Sequence, residues 1–170
     1  MTDHIVTGHG GYSADPFIVA THEAQRRALV DAMLRDPGLD GVDARNHSTA
    51  FFYVADRPMW IVDGPPVRRW LRVGFYYKFG GAVFVDETVP DGADWSWAAL
   101  RPNPIEDPPP IYYDQETDTW FPPASVMPLR ELHDVVLEWV DTGKRPTSVD
   151  WMPINRTAWS LDGNGQIACG

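Results

Sequence analysis

The clearest rhythm in the chain runs from Leu71 to Phe79, where Leu71, Val73, Phe75, Tyr77 and Phe79 alternate with Arg72, Gly74, Tyr76 and Lys78. A period of two places the two sets on opposite faces of a strand. Gly80-Gly81 follows, and a glycine pair supplies the positive φ angles of a two-residue hairpin turn. Ala82 to Val85 would then return as the antiparallel partner, with Phe79 opposite Ala82 and Tyr77 opposite Phe84, and Val at either glycine would weaken the hairpin. Two more runs read as strands from their aromatic and β-branched content, Phe17-Ile18-Val19-Ala20 and Ala50-Phe51-Phe52-Tyr53-Val54. Trp60 to Val62 reads as a further short strand before Gly64-Pro65-Pro66.

Helical spacing occurs twice. From His22 to Arg35 there is no Gly or Pro, Leu29, Val30, Met33 and Leu34 share one face, and Thr21 is the expected N-cap. Past Pro128, Leu129, Leu132, Val135, Val136, Trp139 and Val140 recur at three- and four-residue steps until Gly143, a glycine C-cap. Between the helices, Ile111-Tyr112-Tyr113 and Thr119-Trp120-Phe121 flank Asp114-Gln115-Glu116-Thr117-Asp118, which reads as a hairpin with an acidic loop. After the second helix, Val149, Trp151 and Ile154 line one side of a returning edge strand. Residues 87–110 read as a long surface excursion, because the five prolines between Arg101 and Pro110 forbid a helix interior or a central strand. The stretch Gly8-His9-Gly10-Gly11-Tyr12-Ser13 reads as a flexible arm. The elements sum to an α+β fold, an antiparallel sheet of about five to seven strands with two principal helices packed on one face.

Composition narrows the function classes. A length of 170 residues fits one domain of about 100–200 residues, expected over 1–170 with an extended tail at 153–170. The 14 Lys and Arg against 24 Asp and Glu give a net charge of −10, the reverse of what phosphate neutralisation requires. Direct binding of nucleic acid or of an anionic membrane is therefore not expected, whereas a basic protein partner would be attracted. No membrane-spanning run or export signal is seen, so a cytoplasmic protein is expected. The single cysteine, Cys169, excludes a disulfide framework and any CxxC motif.

Catalytic constellations are missing from the pattern. The histidines His4, His9, His22, His47 and His133 lie in no HExxH or Glu-x-x-His arrangement, so neither a metal site nor a cofactor is expected. No GxSxG nucleophile elbow accompanies Gly8-His9-Gly10-Gly11, and one terminal cysteine cannot build a deaminase zinc site. Paired acids invite a small acidic hydrolase as an alternative, and a scaffold module without inhibitory activity is another.

The order Ile111-Tyr112-Tyr113, Trp120-Phe121-Pro122-Pro123-Ala124-Ser125, Met127-Pro128-Leu129, amphipathic helix, Thr142-Gly143-Lys144-Arg145-Pro146 and Val149-Asp150-Trp151 resembles the first-numbered Imm family of bacterial immunity proteins. The opening strand, the helix after Thr21 and the strand at Phe51 to Val54 fit the same family, so the resemblance covers about residues 17–152. It departs at the Pro-rich insert 101–110 and after Ile154. What the resemblance implies is a protein that binds and neutralises a cognate secreted toxin of a polymorphic toxin system, often a nucleic-acid deaminase, by occluding its substrate groove or active site. No enzymatic activity is implied.

Tight inhibitors rely on a few aromatic anchors ringed by charges that set the association rate. The expected anchors are Trp95, Trp97, Tyr113 and Trp120. Asp91, Asp94, Asp114, Glu116 and Asp118 would face the Lys and Arg groups with which such a toxin follows its nucleic acid.

Overall fold

The computed structural model describes residues 4–10, 17–35, 48–59, 65–91, 93–114, 119–154, 159–161 and 167–169, the last two segments as backbone. Strands β1 (Ile5–Gly10) and β2 (Phe17–Ala20) precede helix α1 (Glu23–Met33). Then come β3 (Ser48–Ala55), β4 (Arg69–Tyr76), β5 (Phe79–Asp86), β6 (Ser96–Leu100), β7 (Tyr112–Asp114), β8 (Thr119–Trp120) and β9 (Met127–Pro128). Helix α2 (Leu129–Thr142), β10 (Asp150–Pro153), β11 (Trp159–Leu161) and β12 (Ile167–Cys169) complete the order. The main sheet has eight strands, in the order β10-β6-β5-β4-β3-β1-β2 with β9 paired to the start of β5, and every pairing is antiparallel. A smaller sheet runs β12-β11-β8-β7. The expected α+β class holds, in a sheet larger than anticipated.

The central hairpin turns at Tyr77-Lys78 and not at Gly80-Gly81. Tyr76 lies opposite Phe79, Phe75 opposite Gly80 and Gly74 opposite Gly81, so the expected pairs Phe79 with Ala82 and Tyr77 with Phe84 do not form. Tyr77 itself takes the positive φ, 58°. The glycines serve close packing inside the strand: a Cβ at Gly81 would lie 2.6 Å from the Phe121 ring, and one at Gly80 would lie 2.6 Å from Leu132 Cδ2. The turn is also tied to α2, because the Leu129 N–H donates to the Lys78 carbonyl at 2.7 Å.

Two segments expected to be irregular are strands. Gly8 to Gly10, read as the start of an arm, belong to β1 (Ile5–Gly10), which lies between β2 and β3 inside the sheet, and Gly8 there leaves room for Leu29 of α1. Ser96–Leu100, read as part of an excursion, is held between β5 and β10. Ser96, Ala98 and Ala99 are all buried, and a strand covered on both faces loses the alternation that would reveal it. The helix cap also differs: His22 occupies the N-cap without a side-chain bond, while the Thr21 N–H and hydroxyl meet Gln25 Oε1 at 2.9 and 3.0 Å. The strand expected at Trp60 to Val62 lies outside the described residues.

One face of the sheet carries both helices. Val6, Phe52, Leu71, Val73, Phe75 and Phe84 meet Leu29 and Val30 of α1 and Leu132, Val136 and Trp139 of α2 in one buried cluster. Trp139 is fully buried, lies edge-on to Phe84 at 5.2 Å and donates its Nε1–H to the Phe52 carbonyl at 3.0 Å. That bond satisfies the indole's one polar group while its rings fill the core. Gly143 closes α2 in the left-handed conformation, φ 63°, as its spacing predicts. Beyond it, the Glu138 carboxylate accepts the Thr147 N–H and hydroxyl and the Ser148 N–H, fixing the turn that feeds β10.

Candidate functional site

The face of the sheet away from the helices carries the most distinctive surface. Directly opposed residues in an antiparallel sheet share a face, so the strand registers define a row across it. Phe17, His9, Phe51, Arg72, Val83, Ala98 and Met152 form that row, from β2 at one edge to β10 at the other. Next to it, Val19, Thr7, Tyr53, Trp70, Val85 and Ser96 form a second.

Half of this face is covered by the chain itself. Ile111, Phe121 and Val126 pack on Val83, Val85 and Ala98 in a second buried cluster, edged by Trp70, Trp95, Tyr113 and Met152. The other half carries half-buried rings in sequence across the strands. His9 stacks on Phe17 at 4.3 Å and lies 6.5 Å from Phe51, Phe51 is 6.3 Å from Tyr53, and Tyr53 is 6.2 Å from Trp70. Phe17 at the edge is 39% exposed, far more than a core ring. Over Thr7 the chain folds back, and the Met59 N–H donates to the Thr7 hydroxyl at 3.1 Å.

Arg72 joins the two halves. Its guanidinium lies 5.1 Å from the Phe51 ring centre and 4.2 Å from that of Tyr113, and it reaches the Asp114 carboxylate at 3.7 Å. Burial pushes the Tyr53 phenol above its ordinary value, and the nearby Arg72 charge offsets part of that rise. Such a surface offers flat aromatic area with one fixed cation and an adjacent carboxylate. Among the described residues, no group of three or more His, Cys, Asp or Glu side chains is placed to hold a metal ion. None of the described helices is long and apolar enough to cross a membrane.

The sequence-predicted site residues fall in separate places. Trp95, Tyr113 and Asp114 lie at the border of the covered half, with Tyr113 edge-on to Phe121 at 5.6 Å. Asp91 and Asp94 are exposed on the β5–β6 connection, ahead of Trp95. Trp97 faces the helices, 5.9 Å from Phe84, with Arg145 stacked on it at 4.7 Å. Trp120 is only 7% exposed and stacks on Tyr112 at 3.6 Å. Glu116 and Asp118 lie outside the described residues. Sequence reasoning missed the aromatic half-face, since Phe17, His9 and the Phe51, Tyr53 pair belong to three separate strands that only the register brings side by side.

A family model described as immunity protein Imm1 matches residues 15–153. No curated protein and no solved structure matches the chain. The family match takes in both helices and every strand from β2 to β10. The chain belongs to the Imm1 family of immunity proteins.

Proposed function

We propose that this immunity protein binds its cognate toxin through the sheet face opposite the helices, and that the toxin is a nucleic-acid deaminase whose substrate groove is occluded in the complex. The observation that carries this reading is the half-buried aromatic row Phe17, His9, Phe51, Tyr53, ended by the Arg72–Asp114 pair. Rings held by strands lose little entropy on binding and present the apolar area from which interface hot spots are made. A net charge of −10 supports a basic partner, since a domain that grips nucleic acid carries an excess of Lys and Arg.

In this reading Trp95 and Tyr113 join the row as anchors. Asp91, Asp94, Asp114, Glu116 and Asp118 face the toxin's cations and raise the association rate, and Trp97 and Trp120 act behind them as supports. Inhibition is by binding in the cytoplasm of the producing cell and needs no catalysis. The test is co-expression with the C-terminal domain of the secreted protein encoded alongside, scored by co-purification, growth rescue and deamination of a nucleic-acid substrate. A complex that restores growth and abolishes deamination is expected. A complex without rescue would favour a scaffold, and rescue from a toxin with another activity would replace the deaminase.

A further inference from the structure

At the end of the sheet where β3 stops and β4 starts, a cleft of about 470 Å³ opens between residues 54–57, residues 65–69 and Thr88. Arg57, Arg68 and Arg69 line it together with one carboxylate, Asp56. Among the described residues, none of the three guanidinium groups forms an ion pair or a side-chain hydrogen bond, although the chain has ten more acids than bases. Arg57 is half-buried, and its Nε is fully buried without a hydrogen-bond partner. Asp86 stands directly opposite Arg69 in the β4–β5 register but directs its Oδ1 to the N–H and hydroxyl of Thr88. Elsewhere in the molecule Arg72 and Arg101 do meet carboxylates, Asp114 and Glu131.

Leaving a partly desolvated guanidinium without an acceptor is costly, and its planar array of donors suits a carboxylate better than any other protein group. We propose that this cleft is a second element of the toxin interface and receives carboxylate side chains from an acidic segment of the toxin. The inference rests on the toxin-binding reading above and names a partner chemistry opposite to the one expected at the acidic loops. Its walls fit a protein segment: Val54, Pro65, Pro66 and Val67 give apolar contact, while Asp56 opposes a phosphate dianion. The physical role is orientation. A uniformly acidic surface attracts a basic toxin in many poses, and one cationic socket within it selects the pose in which the toxin's own acids are satisfied.

The test uses the full chain and the same toxin domain, with dissociation measured directly. Arg68→Gln with Arg69→Gln removes two exposed charges, and an unchanged melting temperature shows that the fold is kept. Dissociation about 30-fold faster, with association altered far less, is the expected result. An Asp91→Asn, Asp94→Asn variant should instead slow association. If the wild type forms a complex and the arginine variant leaves it at the same rate, the cleft inference fails while the toxin reading stands. If the wild type forms no complex, both fail. Inorganic pyrophosphate serves as the competing probe: stabilisation of the wild type but not of the arginine variant, with toxin dissociation unchanged, would make this a phosphate site and overturn the proposal.

Discussion

The two halves of the sheet's second face are made by the same strands and meet opposite fates. Toward β10, the positions that face outward are Gly81, Val83 and Val85 on β5 and Ser96 and Ala98 on β6, all small or compact. Toward β2, Phe17, His9, Phe51 and Tyr53 put four rings on this face, with the smaller Val19 and Thr7 among them. Small residues leave a hollow that a second layer from the same chain can fill, and Ile111, Phe121 and Val126 fill it. Large rings already shield the backbone beneath them and leave one flank partly exposed. Side-chain volume along the strands thus decides which half is core and which is surface.

Removing the filling layer should produce the largest effect. Phe121 is fully buried against Gly81 and edge-on to Tyr113, so Phe121→Ala is expected to cost about 3–5 kcal/mol of folding stability in denaturant unfolding. Gly81→Val should act on the same contact from the other side, because the strand has no room for a side chain where the Phe121 ring sits. A loss below about 1 kcal/mol for Phe121→Ala would place the covering segment outside the core and erase the distinction between the halves.

Substitution in the open half should invert that balance. Phe17→Ser removes a ring at the sheet edge that is 39% exposed and stacks on His9, so stability should fall by about 1 kcal/mol or less. Toxin affinity should fall by about 2 kcal/mol, chiefly through faster dissociation, if this ring is an anchor. Equal losses of stability and affinity would make the open half ordinary structure.

The contrast was only partly legible in the sequence. Helical faces were readable because Leu132, Val136 and Trp139 repeat at the helix's own period, and Gly143 ends the helix where its left-handed φ is needed. Strand β6 was hidden because Ser96-Trp97-Ala98-Ala99-Leu100 is buried on both faces and so shows no alternation. Gly80-Gly81 misled because a glycine pair signals a turn and a close approach equally well, and only the distant Phe121 and Leu132 reveal which applies. The candidate site was the least legible part. Tyr113 and Asp114 stood out locally, but their link to Phe51 runs through Arg72, a contact that no sequence spacing encodes.

Arg72 is the joint between the halves, and its loss should cost less than that of Phe121. Arg72→Met keeps an apolar stem and removes the charge over Phe51 and Tyr113, for an expected loss of about 1 kcal/mol. A sharper reading comes from Tyr53, whose phenol burial raises and Arg72 lowers in part. Without the cation the phenol should rise further, which NMR of ring-labelled tyrosine would follow directly. The folded state holds this proton more tightly than the unfolded chain, so stability falls as pH rises above the ordinary tyrosine value of 10.0. That alkaline loss should be steeper in the variant, and an unchanged Tyr53 titration would disconnect the two halves.

The smallest effect is expected at the far edge of the covered half, where Glu138 clamps the turn before β10. Burial alone would raise this carboxyl, but hydrogen bonds from Ser148 and Thr147 outweigh it and hold it below the ordinary 4.5. The unfolded chain therefore takes up the proton first, and the stabilisation is complete above that ordinary value and lost as pH falls through the lower folded one. Glu138→Gln should lower the melting temperature slightly at neutral pH, with the two curves converging in acid once the wild-type carboxylate is itself protonated. Amide exchange should quicken in the variant at Trp151 and Met152 and stay unchanged at β1, which is fixed by β2 and β3 on either side. A gap in melting temperature that persisted undiminished into acid would assign the clamp to shape and remove charge from the account of this edge.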